Sequence, residues 1–252
     1  MLKQSLSWWG FAKNIEPQDL MKAAVRIGYT GLDLLKEDLW EMAKEHGLEI
    51  SGVGGHGTLT DGLNKRENHN RIEDEIRAKL QKAVQYQIPN LLVFSGNRNG
   101  LADEEGAEIC AECLRRVAPA AEEAGVTLIM ELLNSKVDHP DYQADSTAFG
   151  VNVCDLVGSP RVKLLYDIYH MQIMEGDVIA TIRNNIAYFA HFHTAGVPGR
   201  RDLDTEQELY YPAIARAIVD TGFDGYIAHE YSPKGDPIAS LEQAFQACHV
   251  PT

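Results

Sequence analysis

Eight short β-rich runs recur along the 252 residues, and a longer helical pattern separates each from the next. The runs cover residues 5–9 (SLSWW), 31–35 (GLDLL), 48–54 (LEISGVG), 90–96 (NLLVFSG), 126–133 (VTLIMELL), 162–167 (VKLLYD), 186–193 (IAYFAHFH) and 225–231 (GYIAHEY). Strands alternating with helices at this spacing predict βαβ units and a parallel sheet. Eight such units in about 250 residues predict an α/β fold, the (β/α)8 TIM barrel, as one domain over residues 1–252. An open doubly wound sheet would have fewer strands and a Gly-rich phosphate loop after the first. SWWGFAKN is no such loop. In the helical segment NHNRIEDEIRAKLQKAVQYQ, Ile72, Ile76, Leu80 and Val84 recur at fourfold spacing and predict one buried stripe.

Composition narrows the function classes. A formal net charge of −14 with no Lys/Arg-rich stripe argues against nucleic acid as a partner, because a DNA-binding face must replace phosphate counterions. It does not exclude a small anionic substrate, since local cations can reverse the field inside one pocket. No apolar run approaches the ~20 residues of a membrane helix, and no apolar leader with a cleavage site opens the sequence. Cys110 and Cys113 form a C-x-x-C within a helical pattern. With no second pair at metal spacing, they read as small core residues. The expectation is a cytoplasmic enzyme with reduced thiols whose partner is a small-molecule substrate, not nucleic acid or membrane.

Barrel enzymes carry their reactive groups at the carboxyl ends of the strands. Four consecutive strands here end in ionisable residues: Glu131, Asp167, His193 and Glu230. Singly, each is ordinary as a helix cap, a surface charge or a core histidine. Together, in apolar flanks, three carboxylates on one rim would repel each other and raise each other's pKa, which a divalent cation relieves. Three oxygens and one imidazole nitrogen suit Mg²⁺ or Mn²⁺ ahead of Zn²⁺ or Co²⁺, with positions left for two adjacent substrate oxygens. His56, in the glycine-rich insert after strand three, is a candidate substrate contact. Trp8 is the candidate pocket wall, on the premise that strand alternation turns one of Trp8 and Trp9 inward. His191 and His229 read as supporting or structural.

The segments MELLN, YDIYHMQ, HFHTAG and AHEYSP resemble the xylose-isomerase-like barrel superfamily, and within it the hydroxypyruvate isomerase family, with ketose 3-epimerases as relatives. The resemblance implies that Glu131, Asp167, His193 and Glu230 bind one divalent metal. It also implies that Glu131 and Glu230 move substrate protons from opposite faces, and that His170 hydrogen-bonds a substrate oxygen. An arginine after the strand-seven histidine would hold a substrate oxygen or carboxylate; Arg200 and Arg201 both qualify, with Arg200 preferred. The implied reaction is isomerisation of a small α-hydroxy carbonyl compound through an enediolate, hydroxypyruvate to tartronate semialdehyde. Ketose 3-epimerisation and 2-oxo-tetronate isomerisation are the neighbouring alternatives. The resemblance also admits a homo-oligomer. Two other classes are alternatives. An abasic-site nuclease on this barrel needs further His and Asp ligands and a basic face. A non-catalytic sugar-binding barrel has no need of opposed carboxylates.

Overall fold

Each β-rich run contributes one strand to the computed structural model, which describes residues 2–251. The strands are β1 (Lys3–Ser7), β2 (Gly31–Asp33), β3 (Glu49–Gly54), β4 (Asn90–Val93), β5 (Thr127–Glu131), β6 (Val162–Asp167), β7 (Phe189–Thr194) and β8 (Tyr226–His229). They follow one another in chain order around a closed, parallel barrel, the (β/α)8 fold expected. The main helices are α1 (Trp8–Phe11), α2 (Pro17–Ile27), α3 (Trp40–Glu45), α4 (His69–Tyr86), α5 (Asp103–Ala124), α6 (Thr147–Val157), α7 (Ile168–Met174), α8 (Val178–Asn185), α9 (Tyr211–Asp220) and α10 (Pro237–Cys248). Every residue of β4, β5 and β8 is buried, as parallel strands covered on both faces require. Contacts gather in two compact units. One takes in residues up to Gly52, 177–186 and from His191 onward; the other takes in 53–176 and 187–190. No helix among the described residues is long and apolar enough to cross a membrane.

Local chemistry sets the helix ends. Pro17 opens α2, where its missing N–H costs nothing, and Gly28 closes it at φ +117. Cys110 and Cys113 lie buried within α5, and burial raises both thiol pKa values, Cys113 to about 12. The fourfold stripe on α4 holds only in part. Ile72, Ile76 and Leu80 are buried, but Val84 is 55% exposed and Ala83 takes its place. Four-residue steps overshoot the ~3.6-residue turn, so the stripe drifts by about 40° per step and Val84 leaves the buried face.

His229, at the end of β8, is wholly buried. Its Nδ1 meets Thr194 Oγ1 at 2.7 Å and its Nε2 meets Gln4 Oε1 at 3.0 Å. Burial disfavours the imidazolium and lowers the pKa to about 3. The unfolded chain therefore takes this proton first, and the fold loses stability as pH falls from about 6.5 toward the folded value. The expected NMR result is a His229 ring that stays neutral from pH 8 to pH 4. A midpoint near the ordinary histidine value would contradict the packing described.

Candidate metal centre

In a parallel barrel all strands run the same way, so their last residues share one rim. Asp33 ends β2, Glu131 ends β5 and Asp167 ends β6. His193 is the penultimate residue of β7, and Glu230 follows β8 directly. All five are buried.

In the unit that holds β1, β2, β8 and the end of β7, Glu230 is the hub. Its backbone N–H donates to Thr194 O at 2.9 Å, which extends the ladder beyond β8 and fixes where the carboxylate starts. Trp9 Nε1 donates to Oε1 at 2.9 Å, and Arg200 Nη2 donates to Oε2 at 2.5 Å. His193 Nδ1 lies 3.1 Å from the same Oε2. The guanidinium of Arg200 also sits over the Trp9 ring, 5.3 Å from its centroid. Burial alone would raise the Glu230 pKa. The charges of His193 and Arg200, with hydrogen bonds from His193 and Trp9, outweigh it and hold the carboxyl well below the usual range. The other face of His193 meets a second carboxylate, with Nε2 2.9 Å from Asp33 Oδ2. Burial likewise pushes Asp33 up, and the His191 and His193 rings pull it down further.

The loop after β7 settles which arginine reaches this group. Gly196 N–H donates to Arg201 O, Arg200 N–H to Gly196 O, and Ser232 N–H to Arg200 O. Arg200 is held at φ +54 with its side chain on Glu230, while exposed Arg201 donates to the carbonyl of Ser232 at 3.3 Å.

In the other unit, Asp167 Oδ1 accepts the backbone N–H of His170 at 3.0 Å and so caps α7. Asp167 Oδ2 lies 3.7 Å from His170 Nε2. Asn134 fixes the ring from behind. Its Nδ2 donates to His170 Nδ1 at 2.7 Å and to Asp138 Oδ2 at 2.6 Å, and Tyr169 also donates to that oxygen, at 2.8 Å. With Nδ1 accepting, the proton of a neutral ring sits on Nε2, the nitrogen on the Asp167 side. Tyr142 donates to the backbone carbonyl of Glu131 at 3.0 Å and steadies the end of β5.

In the first unit, Asp33, His191 and His193 each offer a donor atom, all within 4.8 Å of one another, which is the spacing of metal ligands.

Two sequence expectations need correction. The run at 5–9 is not all strand: β1 stops at Ser7 and α1 begins at Trp8, so strand alternation does not apply to the tryptophans. Trp8 is buried at 4% exposure, and it is Trp9 that reaches Glu230. His56 is not poised for substrate, because its Nδ1 donates to Gly57 O at 2.6 Å and its Nε2 accepts from Phe94 N–H at 2.9 Å. Both ring nitrogens join the insert to the end of β4. Burial lowers its pKa, in keeping with a neutral structural ring. Asp33 and Asn134 join the expected residues, and Trp9 takes the part expected of Trp8. A signal existed for Asp33, a lone acid inside the apolar run GLDLL.

Comparison with known proteins supports the fold. A family model described as xylose isomerase-like TIM barrel matches residues 12–248. A putative hydroxypyruvate isomerase of Homo sapiens is 29% identical over 174 residues, 66% of this chain and 63% of that protein. A 2-oxo-tetronate isomerase of Cupriavidus necator is 37% identical over 143 residues, 56% of this chain and 54% of that protein. Both matches thus span less than two thirds of those relatives' length. A crystal structure described as AP endonuclease, family 2, from Brucella melitensis superposes with a TM-score of 0.87 at 24% identity, covering 96% of this chain and 97% of that one. At that identity the likeness speaks for the fold alone. The chain belongs to the xylose isomerase-like TIM barrel family.

Proposed function

We propose that this chain is a metal-dependent isomerase of small 2-oxo acids, converting hydroxypyruvate to tartronate semialdehyde through an enediolate. The observation that carries the reading is that four consecutive strands, β5 to β8, each close on a buried side chain of metal-ligating type: Glu131, Asp167, His193 and Glu230. Three carboxylate oxygens and one imidazole nitrogen suit Mg²⁺ or Mn²⁺ ahead of Zn²⁺ or Co²⁺. A divalent cation there would polarise a carbonyl oxygen and offset the negative charge that isomerisation develops.

The chain's own residues do the rest. Glu131 and Glu230 are the proton carriers: one takes a proton from C3 of the substrate, a proton returns to C2, and the proton of the C3 hydroxyl passes to the oxygen on C2. His170, with its proton on Nε2, donates to a substrate oxygen. Arg200 anchors the substrate carboxylate through its planar fork. A carboxylate of ordinary pKa, about 4.3, is a weak base, and Glu230 is held lower still, so substrate polarisation must supply the remaining driving force. The names of the human and Cupriavidus relatives support a 2-oxo acid substrate. The higher identity to the Cupriavidus protein favours one second reading, isomerisation of a four-carbon 2-oxo-tetronate. A small-molecule partner also fits the net charge of −14, which an abasic-site nuclease would have to overcome at its DNA face. Four buried free cysteines support a reducing compartment, the cytoplasm.

The test is turnover by the Mn²⁺-loaded protein, followed by NMR, on hydroxypyruvate, a 2-oxo-tetronate and free ketohexoses. The 2-oxo acids are expected to turn over fastest. Epimerisation of a ketohexose with both acids inert would overturn the proposal.

A further inference from the structure

We propose that Asp33 is a positioning residue for the metal site: it accepts the Nε2–H of His193 and thereby presents Nδ1 of that ring as the ligand atom. The proposal rests on the reading of His193 as a metal ligand given above. Asp33 lies on β2, away from the four strands that supply the ligands, and is fully buried. Its Oδ2 is 2.9 Å from His193 Nε2, and its Oδ1 accepts from Ser51 Oγ at 2.8 Å. Ser51 in turn lies 3.0 Å from Ser5 Oγ, so residues of β1 and β3 brace the carboxylate.

The consequence follows from proton inventory. An ionised carboxylate only accepts hydrogen bonds, and a neutral imidazole has one N–H to give. Asp33 therefore draws that proton to Nε2. With a cation held, that leaves the lone pair on Nδ1, the nitrogen 3.1 Å from Oε2 of Glu230, another proposed ligand. A carboxylate behind a ligating histidine fixes the tautomer and ring orientation and makes the ligand more basic. Loss of such partners typically costs about 10–100-fold in metal affinity. In Asp33→Asn the charge is lost, and the amide can turn its NH₂ to Nε2 and drive the ring proton onto Nδ1.

Asp33 also belongs to the candidate grouping it forms with His191 and His193. His191 Nε2 is 3.4 Å from Asp33 Oδ1, and neither His191 ring nitrogen has a hydrogen-bond partner among the described residues. A second ion held there would make Asp33 a ligand, so the test counts ions as well as affinity.

The experiment titrates Mn²⁺ into metal-stripped wild type and Asp33→Asn by calorimetry, with circular dichroism to verify folding. Long-range ¹⁵N–¹H spectra then locate the His193 proton in the Mg²⁺-loaded wild type. The expected results are one Mn²⁺ per wild-type chain, a Kd raised about 10–100-fold in Asp33→Asn, turnover regained at high Mn²⁺, and a wild-type ring proton on Nε2. An unchanged Kd in folded Asp33→Asn, a wild-type proton on Nδ1, or two ions per chain would each overturn the role of Asp33. If the variant fails to fold, the wild-type spectrum and ion count still decide. Absence of Mn²⁺ binding by the wild type would instead overturn the ligand reading, and this proposal with it.

Discussion

Glu230→Gln is expected to lower kcat on hydroxypyruvate by about 10²–10⁴-fold, the range a positioned acid–base group supplies. The substitution is nearly isosteric. Its amide oxygen can still accept from Trp9 Nε1, which now donates at 2.9 Å, and the backbone bond to Thr194 is untouched. What disappears is the negative charge that meets Arg200 Nη2 at 2.5 Å and His193 Nδ1 at 3.1 Å, and with it the ability to take a proton. The variant should therefore fold, as far-UV circular dichroism would show, while turnover collapses and Mn²⁺ binds more weakly. Trp9→Phe removes only one hydrogen bond to the same carboxylate and should cost far less. A purified Glu230→Gln with wild-type kcat would mean that this carboxylate moves no proton.

Chelation should have an equally large effect. EDTA treatment is expected to reduce activity to background, and Mn²⁺ or Mg²⁺ to restore it. Glu131, Asp167 and Glu230 are buried strand-end carboxylates, and a bound divalent cation would offset the cost of keeping such groups ionised out of water. The same binding must stabilise the fold. At metal concentrations 100-fold above Kd the gain is about 2.7 kcal/mol, which for a domain of this size raises Tm by roughly 5–10 °C. Differential scanning calorimetry with and without Mn²⁺ checks that figure. Full activity in a demonstrably metal-free sample would contradict the proposed role of the cation.

The barrel was legible in the sequence, and so were the four strand-end residues proposed as metal donors, for related reasons. Strand–helix alternation is a periodic signal, and an acid or histidine closing an apolar run stands out against its flanks. The residues that brace those donors left weaker traces. Asp33 ends a strand of only three residues, with Leu34 at φ +50 immediately after, so the five-residue apolar run hid where the chain turns. Trp8 and Trp9 have strand-forming character, and α1 has no side-chain N-cap to announce it. Tertiary contacts decide its conformation, with Phe11 against Tyr231 and Trp9 on Glu230. Asn134 serves through hydrogen bonds to His170 and Asp138, and the MELLN segment gives no hint of where those partners lie. His56 shows the opposite case, a histidine in a glycine-rich loop that looked like a ligand contact and is bonded at both nitrogens to backbone.

The most direct test of the central claim is solvent exchange. Mn²⁺-loaded enzyme in D₂O with hydroxypyruvate should place deuterium on the substrate carbons that gain and lose protons, C2 of the product and C3 of recovered substrate, and Glu230→Gln should not. Conversion with no deuterium at either carbon, or exchange undiminished in Glu230→Gln, would contradict proton transfer by the strand-end carboxylates.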